Sequence, residues 1–175
     1  KGSARYSAVD IAQIFDGLGG ELNAATAKEY TVVYARVLDA HLETALDVMS
    51  DMLLSPQFDA AEMDSEREVV LEEIAMYEDT PQDLVHDLIA SAVFAEHPLG
   101  TPVIGTADVV AGATPKDIRA YHRSRYVGPN IVISAAGNLE HEPLAHAIET
   151  RFGPLSQGPD DDAGVRPVWV GAPTP

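Results

Sequence analysis

The sequence predicts an α+β fold, an antiparallel-type mixed sheet covered on one side by helices. Three observations predict it. Most of the chain carries the 3.6-residue apolar spacing of amphipathic helices. Two Val-, Thr- and Tyr-rich runs are joined by a short turn, as in a β-hairpin, and a continuous apolar run follows at residues 131–136.

The elements follow in order. Ser7 with Asp10 three residues on reads as a capping box, and Val9, Ile11, Ile14, Phe15 and Leu18 follow at helical spacing. Gly19-Gly20 ends that helix, because glycine takes the left-handed backbone that a helix C-terminus often needs. Residues 21–27 and 30–38 read as strands, and Ala27-Lys28-Glu29 between them predicts an antiparallel hairpin. Residues 39–54 form an amphipathic helix with Leu42, Ala45, Leu46, Met49 and Leu53 on one side, stopped by Pro56. A long helix spans residues 60–77, entered at Asp59. Thr80 caps the next helix and Pro81 opens it, toward Val93. His97-Pro98-Leu99-Gly100 begins a Gly/Pro loop that runs through Gly105. Thr114-Pro115 starts a further helix, with Ile118, Tyr121 and His122, toward Tyr126. Residues 131–136 are expected to be a strand buried on both faces, and residues 142–152 a last helix. The organisation expected is a domain over residues 1–152, a Gly/Pro/Asp/Ser linker over 153–167, and the start of a following segment over 168–175.

Composition narrows the function. A length of 175 residues suits one sizeable domain, and no apolar run is long enough to span a bilayer. Cysteine is absent, which removes disulfides and thiolate metal sites and suits a cytoplasmic location. The formal charge of −17 argues against nucleic-acid binding, which wants a basic face, and would steer cationic peptides. An acidic surface also serves solubility alone. Lys1-Gly2-Ser3-Ala4-Arg5 has neither an initiating methionine nor the apolar core of a signal peptide, so the chain is expected to begin inside a longer protein.

Chemistry concentrates on the helix at residues 60–77. Glu66 and Glu73 are seven residues apart, so at about 100° per residue they fall within roughly 20° of each other. Met63, Val70 and Tyr77 border their arc on one side, Val69 and Met76 on the other, so both carboxylates are expected on the buried face. Burying a bare carboxylate costs several kcal/mol, so a divalent metal, an arginine such as Arg36 or Arg125, or a solvated groove must neutralise the pair.

A resemblance adds to this reading. Lys1-Gly2-Ser3, Asp10-Ile11-Ala12, Gly19-Gly20-Glu21-Leu22-Asn23-Ala24-Ala25-Thr26, Glu29-Tyr30-Thr31-Val32-Val33-Tyr34 and Glu66-Arg67-Glu68-Val69-Val70-Leu71-Glu72-Glu73-Ile74 resemble the pitrilysin/insulinase family of zinc metallopeptidases, processing-peptidase-like members above all. His97-Pro98-Leu99-Gly100, Gly105-Thr106 and the stretch from Tyr126 to Asn138 continue the match, in order, to about residue 152.

The resemblance implies an N-terminal catalytic half whose H-x-x-E-H motif, two histidine zinc ligands and a glutamate that polarises water, lies just before the K-G-S segment. No H-x-x-E-H occurs in the sequence. The fold is therefore expected to be incomplete at its N-terminus, and the chain inactive alone. Glu73 corresponds to the third zinc ligand and Glu66 to a supporting glutamate. Asn23 and Ala24 lie on the edge strand that would hold an extended peptide substrate. His41, His86, His97, His122, His141 and His146 are scattered, and none is nominated as a ligand. The partners implied are peptides, a homologous C-terminal half and a dimer mate. The alternatives are a non-catalytic peptidase-like subunit, or an acidic module that binds basic peptides.

Overall fold

Local rules account for most of the helix ends. The computed structural model describes residues 2–155, so the expected linker beyond residue 155 and the segment at 168–175 lie outside the described residues. Helix α1 (Ala8–Gly17) starts with the expected box: the Ser7 hydroxyl accepts from the Asp10 amide while the Asp10 carboxylate accepts from the Ser7 amide. Gly19 follows at φ +62°, the left-handed region. Strands β1 (Glu21–Thr26) and β2 (Thr31–Arg36) pair antiparallel, with Asn23 opposite Tyr34 and Ala24 opposite Val33. Gly20, at the entry to β1, has no room for a side chain, because a Cβ would stand 2.8 Å from Val37 Cγ1.

A turn of 3-10 helix, Asp39–His41, leads into α2 (Leu42–Leu54), and Asp59 caps α3 (Ala60–Glu78) by accepting from the Ala61 and Glu62 amides. Helix α4 (Pro81–Phe94) opens on Pro81, but the Thr80 hydroxyl donates to the Met76 carbonyl of the preceding helix instead of capping α4. A short helix α5 (Ala107–Gly112), which the Gly/Pro reading of the loop passed over, precedes α6 (Pro115–Arg125) with its Thr114–Asp117 capping box. Helix α7 (His141–Phe152) closes the described chain.

The core gathers Ile11 and Phe15 of α1 with Ala45 and Val48 of α2, and Leu22 and Ala35 of the hairpin pack against it. Val48, absent from the expected apolar side of α2, is fully buried. Helix α2 is packed more nearly all round than a one-sided stripe predicts, because it meets α7 as well as the core. The architecture is α+β, helix-rich with a two-stranded sheet among the described residues.

One expected strand is corrected. Residues 131–136 form no ladder among the described residues, and Val132 is 92% exposed. An apolar run shows that a segment can be buried; pairing also requires a neighbouring strand, and this segment has none there. Its alternate residues Ile131, Ile133 and Ala135 instead line an open apolar groove of about 550 Å³ against Leu144, Ile148 and Phe152 of α7.

The segment before α1 is fastened to α2. Asp51, buried in the last turn of α2, accepts from the Ser3 hydroxyl at 2.5 Å, the Arg5 amide at 3.0 Å and Arg5 Nε at 3.1 Å. Asp47 accepts from the Tyr6 hydroxyl at 2.8 Å and pairs with Arg5 at 3.0 Å. Burial works to raise both carboxyls, but the bonds from Ser3 and Arg5 to Asp51, and from Arg5 and Tyr6 to Asp47, outweigh it and hold both below the usual range.

Candidate functional site

The face of α3 that packs is set by Ile74, which is 4% exposed, and α3 lies mainly on α4 and α5. Glu66 and Glu73 sit about 80° and about 100° round the helix from Ile74. They therefore occupy the rim of the packed face rather than its centre: Glu66 still turns one carboxylate oxygen, Oε2, into a buried position, whereas Glu73 does not follow the expected inward orientation. Glu66 is half-buried and Glu73 exposed, while Val69 and Met76, expected to border a buried arc, are 44% and 71% exposed. The spacing of the two acids on one arc holds. The rotation of that arc was set by what α3 packs against, with Arg67, rather than the glutamates, turned toward α5. Arg67 donates to the Val110 carbonyl at 3.2 Å and the Ala113 carbonyl at 2.7 Å, neutralising the C-terminal end of that short helix.

Of the arginines offered as partners for the acids, Arg36 instead pairs with Glu21 across the hairpin at 3.5 Å. Tyr77, one turn beyond Glu73, donates its hydroxyl to the Asp83 carbonyl of α4 at 2.9 Å. Burial, then hydrogen bonding to Asp87, then the charges of Asp87 and Asp83 raise its phenol above the ordinary value.

On the hairpin, Asn23 and Ala24 are exposed, and the Asn23 side-chain oxygen accepts from the Ala24 amide at 2.8 Å. That amide is directed away from β2, as every second amide of an antiparallel pair must be, so the outer edge of β1 carries a donor capped by its own chain. Beyond the strand, Lys28 Nζ donates to the carbonyls of Leu99 at 2.9 Å and Thr101 at 3.1 Å, and stands 3.6 Å from Asp87 of α4. Sequence reasoning missed Lys28 and Asp87, since a lysine at a hairpin turn and an acid on an acidic helix both look solvated. It also missed the Asp51 cluster, although an acid in the last turn of a helix opposes the helix dipole and so signals a local partner.

The histidines are structural where the geometry speaks. His97 Nδ1 accepts from the Leu99 amide at 3.2 Å, and His122 meets the Leu53 carbonyl at 2.8 Å while stacking on Tyr126. Among the described residues no three His, Cys, Asp or Glu side chains gather into a group able to hold a metal. Glu73 is a single donor, where a zinc site takes three or four. The described residues therefore do not by themselves fit the metal that the resemblance implies.

The family model for insulinase, peptidase family M16, matches residues 1–107. The chain belongs to this family. An uncharacterized zinc protease of Streptomyces coelicolor is 46% identical over 152 residues, 87% of this chain and 33% of that protein. One from Bacillus subtilis is 44% identical over 153 residues, 87% of this chain and 37% of that protein. This M16 chain thus spans about a third of the length of the curated relatives it matches. Among solved structures, a protease from Helicobacter pylori superposes with a TM-score of 0.86 at 23% identity, over 93% of this chain and 40% of that one. A peptidase M16 inactive domain from Pseudomonas fluorescens gives 0.83 at 24%, over 90% and 39%. The first half of the periplasmic protease PqqL from Escherichia coli gives 0.75 at 20%, over 91% and 36%. At these identities the likeness is one of fold. No helix among the described residues is long and apolar enough to cross a membrane.

Proposed function

We propose that the chain is part of the catalytic half of a zinc-dependent endopeptidase acting on peptides or unfolded polypeptides. The observation that carries this reading is an M16 match that includes both the Glu66–Glu73 helix and the β1 edge. The names of relatives as zinc proteases support zinc as the metal.

In this reading Glu73, on the exposed rim of α3, is one zinc ligand, and Glu66, a face repeat earlier, supports it. The other ligands and the base come from outside residues 1–175, which makes the chain inactive alone. The β1 edge at Asn23 and Ala24 takes an extended peptide, whose backbone displaces the Asn23 cap from the Ala24 amide. A homologous second half and a dimer mate complete the assembly.

The second reading is a non-catalytic peptidase-like unit. It is favoured by the exposure of Glu73 on the rim of α3.

The complete polypeptide decides between them. Zinc content and affinity, measured beside hydrolysis of a quenched-fluorescent unfolded substrate, are compared for the wild type and Glu73→Gln. Loss of a charged ligand is expected to weaken zinc binding on the order of 100-fold and to remove hydrolysis. Zinc affinity unchanged by Glu73→Gln refutes the ligand role and favours an acidic peptide-binding module. A wild type that binds no zinc favours the non-catalytic unit.

A further inference from the structure

The proposed substrate edge and the proposed ligand helix sit in different layers: β1 packs on β2 and α1, whereas α3 packs mainly on α4 and α5. A peptide lying on one and reacting at the other needs their separation fixed. The hairpin tip supplies a connection.

Lys28 lies just past the end of β1, and its ammonium, on a side chain only 28% exposed, faces two carbonyls and the Asp87 carboxylate. The carbonyl acceptors of this cradle belong to a closely packed loop. Between Leu99 and Thr101 stands Gly100, buried so closely on the end of α4 that a Cβ would lie 2.7 Å from the Ala95 carbonyl. His97 braces the same loop by accepting from the Leu99 amide. Asp87, only 16% exposed at its side chain, points inward from α4 although Val85, Leu88, Ile89 and Val93 of that helix are exposed. An inward acid on a helix whose apolar side faces out needs a partner, and Lys28 is one. Tyr77, one helical turn from Glu73, donates its hydroxyl to the Asp83 carbonyl, one turn before Asp87 on α4. Polar contacts thus join the end of α3 to α4 at Asp83, and α4 to Lys28 and the tip of β1 at Asp87.

We propose that Lys28 and Asp87 are positioning residues that fix the β1 edge relative to the Glu66–Glu73 helix, and so set how well an extended peptide is held. This rests on the reading of β1 as the peptide-binding strand. Neither residue touches the reacting atoms. Their loss therefore weakens peptide capture rather than the chemical step.

The test measures KM and kcat of the complete polypeptide on a quenched-fluorescent peptide for the wild type, Lys28→Met, Lys28→Arg, Asp87→Asn and the Lys28→Met/Asp87→Asn double variant. Lys28→Met is expected to raise KM about fivefold with kcat within about twofold. Lys28→Arg, which can still donate to both carbonyls and the carboxylate, restores KM to within about twofold. If the two residues act through one another, the double variant matches Lys28→Met rather than the product of the single effects. A KM untouched by Lys28→Met, or effects that multiply in the double variant, overturns the proposal. An equal fall in kcat and kcat/KM that Lys28→Arg does not rescue also overturns it. An Ala24→Pro control separates it from the underlying reading. If that substitution leaves KM unchanged, β1 is not the peptide edge and both fall. If it raises KM while Lys28→Met does not, positioning alone falls.

Discussion

Replacing Asp51 by alanine removes the acceptor that fastens the start of the chain to α2. The wild-type carboxylate, 9% exposed, takes the Ser3 hydroxyl at 2.5 Å, the Arg5 amide at 3.0 Å and Arg5 Nε at 3.1 Å. Arg5 is half exposed and keeps its pairing with Asp47, so its side chain contributes little to the loss. The Ser3 hydroxyl, only 1% exposed as a residue, retains a second acceptor, the Tyr6 carbonyl at 3.3 Å. The Arg5 amide loses its acceptor altogether. An orphaned amide costs about 1–3 kcal/mol and a weakened hydroxyl bond about 0.5–1 kcal/mol, for a total of about 1.5–4 kcal/mol, centred at about 2–3 kcal/mol. In a domain of this size that lowers Tm by about 5–10 °C, measurable by calorimetry at pH 7. The loss also has a pH signature. Asp51 and Asp47 have folded-state values held below those of the unfolded chain. The stability they confer is therefore complete above the unfolded carboxylate value of about 3.9 and is lost as pH falls through the folded values. Asp51→Ala should flatten this acid limb. A destabilisation under about 1 kcal/mol, or an acid limb as steep as the wild type, would show that the cluster does not hold the segment as argued.

Two further outcomes test other parts of the structure. Gly100→Ala places a Cβ 2.7 Å from the Ala95 carbonyl and should cost about 1–3 kcal/mol in urea unfolding. Because that loop carries the Lys28 acceptors, amide exchange in the β1–β2 hairpin should quicken in the same variant; an unperturbed hairpin would mean that the loop does not brace it. Asn23→Ala removes the side-chain acceptor of the Ala24 amide, whose exchange, followed by NMR, should accelerate about fivefold for a bond of about 1 kcal/mol. Unchanged exchange would place that amide in the ladder rather than at the open edge.

What the sequence by itself determined is local. The Ser7–Asp10 box, the helix start at Thr114-Pro115, the Asp59 cap, the hairpin around Lys28 and the common arc of Glu66 and Glu73 all follow from bonds and periodicities spanning a few residues. Family membership, too, was legible in the order of its motifs. Tertiary structure alone decided how far each helix rotates, because periodicity fixes the angle between two residues of a helix but not which arc meets a neighbour. That is why Ile74 is the buried residue of α3 while Glu73 stands exposed at its rim, and why Val48 rather than Leu46 or Leu53 is the fully buried residue of α2. It decided that residues 131–136 lie against α7 without a ladder among the described residues, since a strand needs a partner that no run of apolar letters can name. It also brought Lys28 to Asp87 and to the carbonyls of Leu99 and Thr101, and Arg5 to Asp47 and Asp51. Such charges read as solvated in sequence because their partners lie dozens of residues away, and only the packing of whole elements makes them neighbours.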